Sequence, residues 1–396
     1  MPTQFGRHFW PGFSYVYGIR IDYLSPTIYT TDLLIIILFL LSVFRIKEIK
    51  INSTLFLFFA FLLSGLFFFK NVFLETYGIL KIFEFSFFSI YTARVLLKKE
   101  NLVKAISFPL LFESVLSIWQ FLNKGSIGSI FYFLGERAFN GQTPGIANAS
   151  INNQLILRPY GTLPHPNVLA GFLLLSLSLV IFSSKKLSPF YLMVLIIGTV
   201  SLFLTMSRIT IFLFVLIIAF KTYRLIAERK KVFLNILFYL LILFFSLMVI
   251  FISSFSGRFL NVSFNDPSIV LRWQLIETAF KIFFKSPVIG IGLNGFLVEL
   301  PNFINQQKVF FIQPVHNIYL LILSEVGIIG FSFFIFLLVK AFKNTIKRKS
   351  YLPSILLIEI LILGFFDHYF LTLQQGQLLL SLVIGLSFSK LSYNEK

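Results

Sequence analysis

Cysteine is absent from this chain, and acidic residues are scarce: 16 Asp and Glu stand against 34 Lys and Arg among 396 residues. Without thiols there is no disulfide framework, thiolate nucleophile or cysteine metal site. No D-x-D sequence occurs, and the acids are scattered, so nothing reads as a metal-diphosphate cradle. Charge of either sign is thin at 13%, whereas 57% of residues are hydrophobic and the mean hydropathy is +0.88. That apolar share lies well above the soluble-domain average and implies a polytopic membrane protein. Residues 1–31 have neither a basic n-region nor an apolar h-region and do not read as a signal peptide.

Eleven apolar runs follow, at about 32–44, 52–69, 72–97, 102–122, 167–184, 189–206, 209–220, 232–253, 317–340, 351–366 and 371–389. A bilayer-spanning helix takes roughly 20 mainly apolar residues. The expected fold class is therefore all-α, a single integral membrane domain over 1–396 with about 11 transmembrane helices. The formal charge of +18 does not point to nucleic acid, because the cations sit in short clusters between apolar runs. Twenty of them fall in alternate short connections and the tail, including Arg45, Lys99, Lys186, Lys230 and Lys347. By the positive-inside rule that side is cytoplasmic. The two long connections, a first loop at 123–166 and a large loop at 254–316, are then outside, and the C-terminus is inside. An odd count with an outside N-terminus suggests a missing first span, giving 12.

Charges inside the runs need partners, since ionisable groups in a membrane are expensive. Lys81 and Glu84 are three apart, on one helical face. Two readings stand for them, a structural pair or part of a polar cavity.

The outside connections carry the chemistry-bearing residues. Arg158 opens Arg-Pro-Tyr-Gly-Thr-Leu-Pro-His165-Pro-Asn167, in which two prolines bracket His165 and Asn167 can cap the next helix. This is either a stiff turn or an anion site using Arg158 and His165. Arg208, the sole cation of the short connection Thr205–Arg208, either snorkels or binds an anion. In the large loop, Asp266 and Pro267 start a helix reaching Lys285. At about 100° per residue its apolar stripe is Ile269, Trp273, Ile276, Phe280 and Phe283, with Gln274, Glu277, Thr278, Lys281 and Lys285 opposite. Such a helix lies along the membrane surface. Arg272 projects at the stripe's border, away from both lysines.

Gly290-Ile-Gly292-Leu-Asn-Gly295 matches G-x-G-x-x-G, but no βαβ unit surrounds it, so a tight turn with close backbone approach is the better account. His316-Asn317 then begins the ninth apolar run. A histidine there is either a helix cap or a base. Positive charge nearby keeps an imidazole neutral and able to accept a proton, and guanidinium groups hold a diphosphate in bidentate fashion.

Taken in order, Arg158 to Asn167, Ser207-Arg208, Arg272-Trp273, Pro287 to Phe296, and His316-Asn317 through Glu325, Gly327 and Gly330 resemble the O-antigen ligase and O-antigen polymerase superfamily. The resemblance spans about residues 155–335. It implies a GT-C type glycosyltransferase, multi-pass in the plasma membrane, with its active site on the periplasmic or exterior face. Such enzymes transfer a glycan from an undecaprenyl-diphosphate carrier to an acceptor hydroxyl on a lipid or glycan, with inversion, without cofactor or metal. The resemblance makes His316 the catalytic base, has Arg208 and Arg272 hold the donor diphosphate, and adds Arg158, His165 and Asn317 as substrate-binding candidates. Polymerases, protein oligosaccharyltransferases and, outside enzymes, a lipid-linked glycan flippase are the alternatives.

Overall fold

The computed structural model describes residues 3–42, 53–69, 71–94, 99–151, 154–183, 188–227, 267–303 and 312–389. The expected span at 232–253, the start of the large loop with its cap residue Asp266, and the cations Arg45, Lys98, Arg229 and Lys390 lie outside these residues.

Apolar sequence becomes helix wherever a run is described. In chain order these helices are α1 (Thr30–Ser42), α2 (Ser53–Phe68), α3 (Val72–Arg94), α4 (Lys99–Asn123) and the short α5 (Ile130–Phe133). Then come α6 (Pro166–Ser183), α7 (Pro189–Leu204), α8 (Arg208–Ala227), α9 (Pro267–Lys285) and α10 (Phe296–Glu299). The chain closes with α11 (Ile318–Lys347), α12 (Tyr351–Phe366), α13 (Tyr369–Thr372) and α14 (Gln374–Phe388). Four stretches, Glu100–Asn123, Pro166–Ser183, Arg208–Ala227 and Ile318–Lys347, are long and apolar enough to cross a membrane. Four shorter apolar helices accompany them.

The chain is mostly helical but not wholly so. Two small antiparallel pairs, Gly6–His8 with Thr27–Tyr29 and Tyr15–Val16 with Ile19–Arg20, fold residues 3–29 into a lobe. A hairpin pairs Asn148–Ile151 with Gln154–Leu157. These lie in connections rich in aromatic and β-branched residues, which pair once apolar spans no longer set the pattern.

Helix α6 is the hub. It is apolar all round, as a helix enclosed by others must be, and every side chain from Val168 to Ser183 is buried. It packs on α4, α7, α8, α12 and α14, while α3 lies against α14. One polar tie crosses this apolar interior. Lys81 Nζ meets Asp32 Oδ2 at 2.6 Å, Gln374 Oε1 at 3.1 Å and Glu84 Oε2 at 3.2 Å, joining α1, α3 and α14. The Lys81–Glu84 pair forms as their spacing suggests. Asp32, the nearer partner, is remote in sequence.

Helix α11 is broken. Gly327 leaves helical geometry (φ 61°, ψ −167°), and the segment after α9 fills the gap. Ile328 N donates to Pro287 O (2.8 Å), Ile329 N to Val288 O (3.2 Å), Ile291 N to Ser324 O (3.2 Å) and Gly292 N to Glu325 O (2.8 Å). A Cβ on Gly290 would sit 2.3 Å from the Glu325 carbonyl oxygen, and one on Gly327 2.4 Å from that of Val288. Backbone thus presses on backbone here, which is the close approach the glycine-rich stretch implies. Irregular backbone within a span is tolerated when other protein groups satisfy it, and here they do.

Candidate active site

The site assembles at one end of the bundle, from the segment before α6, the start of α11 and the connection between α12 and α13. Three of the chain's four histidines gather there around one carboxylate, that of Asp367. His316 stands just before α11. Its neighbour Asn317 caps that helix, the side-chain oxygen accepting from Tyr319 N (2.9 Å) and Leu320 N (3.0 Å). Buried Val315 lies before it, so His316 is held by a cap on one side and an apolar anchor on the other. Its Nδ1 faces Asp367 Oδ1 at 3.5 Å. His368 follows Asp367 directly. Its ring centroid lies 5.0 Å from that of His316, its Nε2 is 4.0 Å from Asp367 Oδ1, and its Nδ1 is 2.7 Å from Thr372 Oγ1. Tyr23 of the N-terminal lobe meets the His368 ring edge-on at 5.4 Å.

The segment before α6 reaches the same carboxylate. Arg158 is buried and donates to Thr205 O (2.6 Å) and Asn167 Oδ1 (2.7 Å), while Asn167 Nδ2 donates to Asp367 Oδ2 (3.1 Å). Asn167 is therefore a bridge from Arg158 to Asp367 rather than the cap of α6. His165 takes the capping position, its Nδ1 accepting from Asn167 N at 3.1 Å. Arg158 ties this turn to the α7–α8 connection, where Arg208, an exposed residue, starts α8 three residues after Thr205.

Two side chains of α4 secure the turn. Glu113 accepts from Thr162 N (2.8 Å) and Thr162 Oγ1 (2.5 Å), and Gln120 Oε1 accepts from Tyr160 N (3.0 Å) and Gly161 N (2.7 Å). Loss of a buried acceptor leaves donors unsatisfied at about 1–3 kcal/mol each. Glu113→Ala is therefore expected to speed hydrogen exchange across residues 158–165 well above that of α6. Unchanged protection of that segment would refute the latch.

Helix α9 forms as its pattern implies, but it is apolar on two faces. Leu271, Leu275, Ala279 and Ile282 are buried against the N-terminal lobe, α10 and α11, and Thr278 is buried with them rather than facing out. Trp273, Phe280 and Phe284 are exposed, a second stripe suited to lie against lipid. Arg272 sits on the border between these faces. The residue is exposed, and its charge is felt at both His165 and His368.

Electrostatics sort the cluster. Burial, aided by Arg158, pushes His165 down to about 3. Burial likewise lowers His368 to about 3, against the opposing pull of Asp367. Burial works to raise Asp367, but the contact with His316 and the surrounding imidazoles outweigh it and hold the carboxyl well below its usual range. Asp367 is then an anion at neutral pH beside two neutral imidazoles. As pH falls below the ordinary histidine value of 6.5, the unfolded chain takes up protons that His165 and His368 refuse in the fold. Stability is retained above 6.5 and lost between there and about 3. The slope is about 1.4 kcal/mol per pH unit for each group. Melting temperature is expected to drop between pH 6 and 4, and less steeply in His368→Asn. An identical slope in that variant would count against it.

A family model described as O-antigen ligase matches residues 192–335. That stretch is similar to the O-antigen ligase family. Arg208, Arg272 and His316 all lie within it. A search of curated proteins returns no match for the chain. Asp367 and His368 stand beyond the O-antigen ligase match, and the sequence reading passed over them too. The signal was there: an Asp-His pair in the short connection between the last two apolar runs, on the side the charge rule gives to His316.

Proposed function

We propose that the protein is a metal-independent, inverting glycosyltransferase of the O-antigen ligase family. It moves a glycan from an undecaprenyl-diphosphate carrier to an acceptor hydroxyl at the outer face of the plasma membrane. The observation that carries this reading is His316 Nδ1 facing the Asp367 carboxylate at 3.5 Å, with Arg272 in electrostatic reach of the same cluster. The Asp367 carboxylate facing Nδ1 stabilises the imidazolium electrostatically, leaving Nε2 to accept a proton. His316 removes the acceptor's hydroxyl proton, and the oxygen forms a bond to the anomeric carbon from the face opposite the leaving group. The bond from that carbon to the diphosphate oxygen breaks, and Arg272 and Arg208 neutralise the departing diphosphate. Arg158, His165 and Asn317 border the substrate through the turn and helix start they hold.

A cavity of about 920 Å³ supports a lipid-linked donor. Its mainly apolar lining includes Phe85, Ile90, Phe334, Arg94 and Lys340 and suits a polyprenyl chain; His316, Asp367, Arg208 and Arg272 do not line it, and it meets the histidine cluster through Tyr23, which packs on His368. A polymerase or an oligosaccharyltransferase would use the same machinery with another acceptor. A broken span such as α11 is also a transporter feature, but here residues 287–292 take up the Ser324 and Glu325 carbonyls and the Ile328 and Ile329 amides.

The test uses the protein in lipid with a defined undecaprenyl-diphosphate oligosaccharide, chelator and candidate acceptors. Chelator-resistant transfer that His316→Ala abolishes is expected, and the product separates ligase from polymerase. Transfer that persists in His316→Ala would remove His316 from the base role.

A further inference from the structure

We infer that the side chains of His316, Asp367 and His368 form a binding site for a late first-row divalent cation, with Zn²⁺ as the representative ion, and that occupancy shuts the enzyme off. One ligand atom from each of the three lies within 4.8 Å of the others. Around a tetrahedral ion with bonds of about 2.0–2.1 Å, ligand atoms stand about 3.3 Å apart. Asp367 Oδ1 is 3.5 Å from His316 Nδ1 and 4.0 Å from His368 Nε2, so modest side-chain rotation closes the set.

Two further observations point to an ion. His316 Nδ1 is shut off from solvent and has no hydrogen-bond partner, with Asp367 Oδ1 standing off at 3.5 Å. His368 has the arrangement of a ligand imidazole. Its Nδ1 is engaged by Thr372 Oγ1 at 2.7 Å, which fixes the ring and leaves Nε2 directed at the carboxylate. Asp367 is itself steadied through Oδ2 by Asn167.

The donor set selects the ion. Two imidazoles and one carboxylate suit Zn²⁺, Co²⁺ or Ni²⁺, whereas Mg²⁺ and Ca²⁺ prefer shells of oxygen. Arg272 nearby disfavours weakly held cations further. Metal on His316 Nδ1 withdraws electron density from the ring and replaces the carboxylate contact that supports proton uptake at Nε2. The inhibitory half of this inference rests on His316 being the base, whereas the binding half does not.

The experiment uses the full chain in lipid nanodiscs, carrying a tag without histidine and stripped by chelator. Co²⁺ is titrated in and its visible absorption recorded. Saturable binding of one ion per chain is expected, reversed by Zn²⁺ and unaffected by Mg²⁺. His368→Ala should weaken it at least tenfold, and Thr372→Val, which removes only the supporting hydroxyl, by about tenfold. In the transfer assay Zn²⁺ should inhibit at the concentration that half-displaces Co²⁺, with chelator restoring the rate. No saturable Co²⁺ binding to the wild-type chain, or affinity unchanged in both His368→Ala and Asp367→Asn, overturns the site. Binding as expected without inhibition overturns the inhibitory half. Binding as expected while His316→Ala still transfers overturns the base assignment and leaves the metal site standing.

Discussion

Asp367→Asn is expected to lower kcat for glycan transfer by about 10²–10⁴-fold while leaving the acceptor KM within a few-fold of wild type. The magnitude is that of losing a positioned acid–base partner. Asparagine has nearly the shape of aspartate, so the bridge from Asn167 and the packing around His368 persist. What goes is the negative charge. A neutral amide does not stabilise the imidazolium that His316 becomes when it takes the hydroxyl proton. Its NH₂ group, turned toward Nδ1, also favours the tautomer that already carries a proton on Nε2. A kcat within threefold of wild type would separate Asp367 from the chemistry. A large rise in KM at unchanged kcat would make it a binding residue instead.

The second large effect concerns stability. Gly327→Ala puts a methyl group 2.4 Å from the Val288 carbonyl oxygen, at a backbone conformation that residues with a side chain rarely adopt. The contact is with backbone, which has no rotamer by which to yield. We expect a loss on the order of 3 kcal/mol, seen as a lower melting temperature in detergent. Gly290→Ala should behave alike, because its Cβ would meet the Glu325 carbonyl oxygen at 2.3 Å. Both variants break one contact, so the double variant should fall short of the summed losses. Gly141→Ala, with nothing within 4 Å, is the control. A Gly327→Ala protein that melts with the control would mean that residues 287–292 do not occupy the break in α11.

Hydropathy made the helices legible, because a span announces itself by composition alone. The polar connections were harder. The 3.6-residue period of α9 yields its helix and its outward stripe of Trp273 and Phe280, yet it does not reveal which of two apolar faces meets protein. Leu271, Leu275 and Ile282 are no more apolar than the exposed residues beside them. Their burial is set by Val16, Ile21 and Leu24 of the N-terminal lobe, far away in sequence. His316 was visible because it begins a run within a recognisable order of motifs. Asp367 and His368 showed only as an Asp-His pair in a short connection, and their tie to His316 is a contact across 51 residues that no local pattern encodes. Arg158 carried a genuine ambiguity between structure and binding, and its described hydrogen bonds to Thr205 and Asn167 give it a structural task first.

The filled break in α11 also bears on how the chain is made. Ser324 and Glu325 belong to a span, whereas Ile291 and Gly292, which bond to their carbonyls, belong to a connection delivered with α9 to the same end of the bundle as His316. The span therefore has no complete set of internal hydrogen bonds of its own. Its hydrogen bonding at the break is completed only when residues 287–292 are in place. His316 at the head of α11 and Arg272 on α9 are thereby joined through the same backbone contacts. A polypeptide arrested before residues 287–292 dock would leave the carbonyls of Ser324 and Glu325 without the partners they have in the fold.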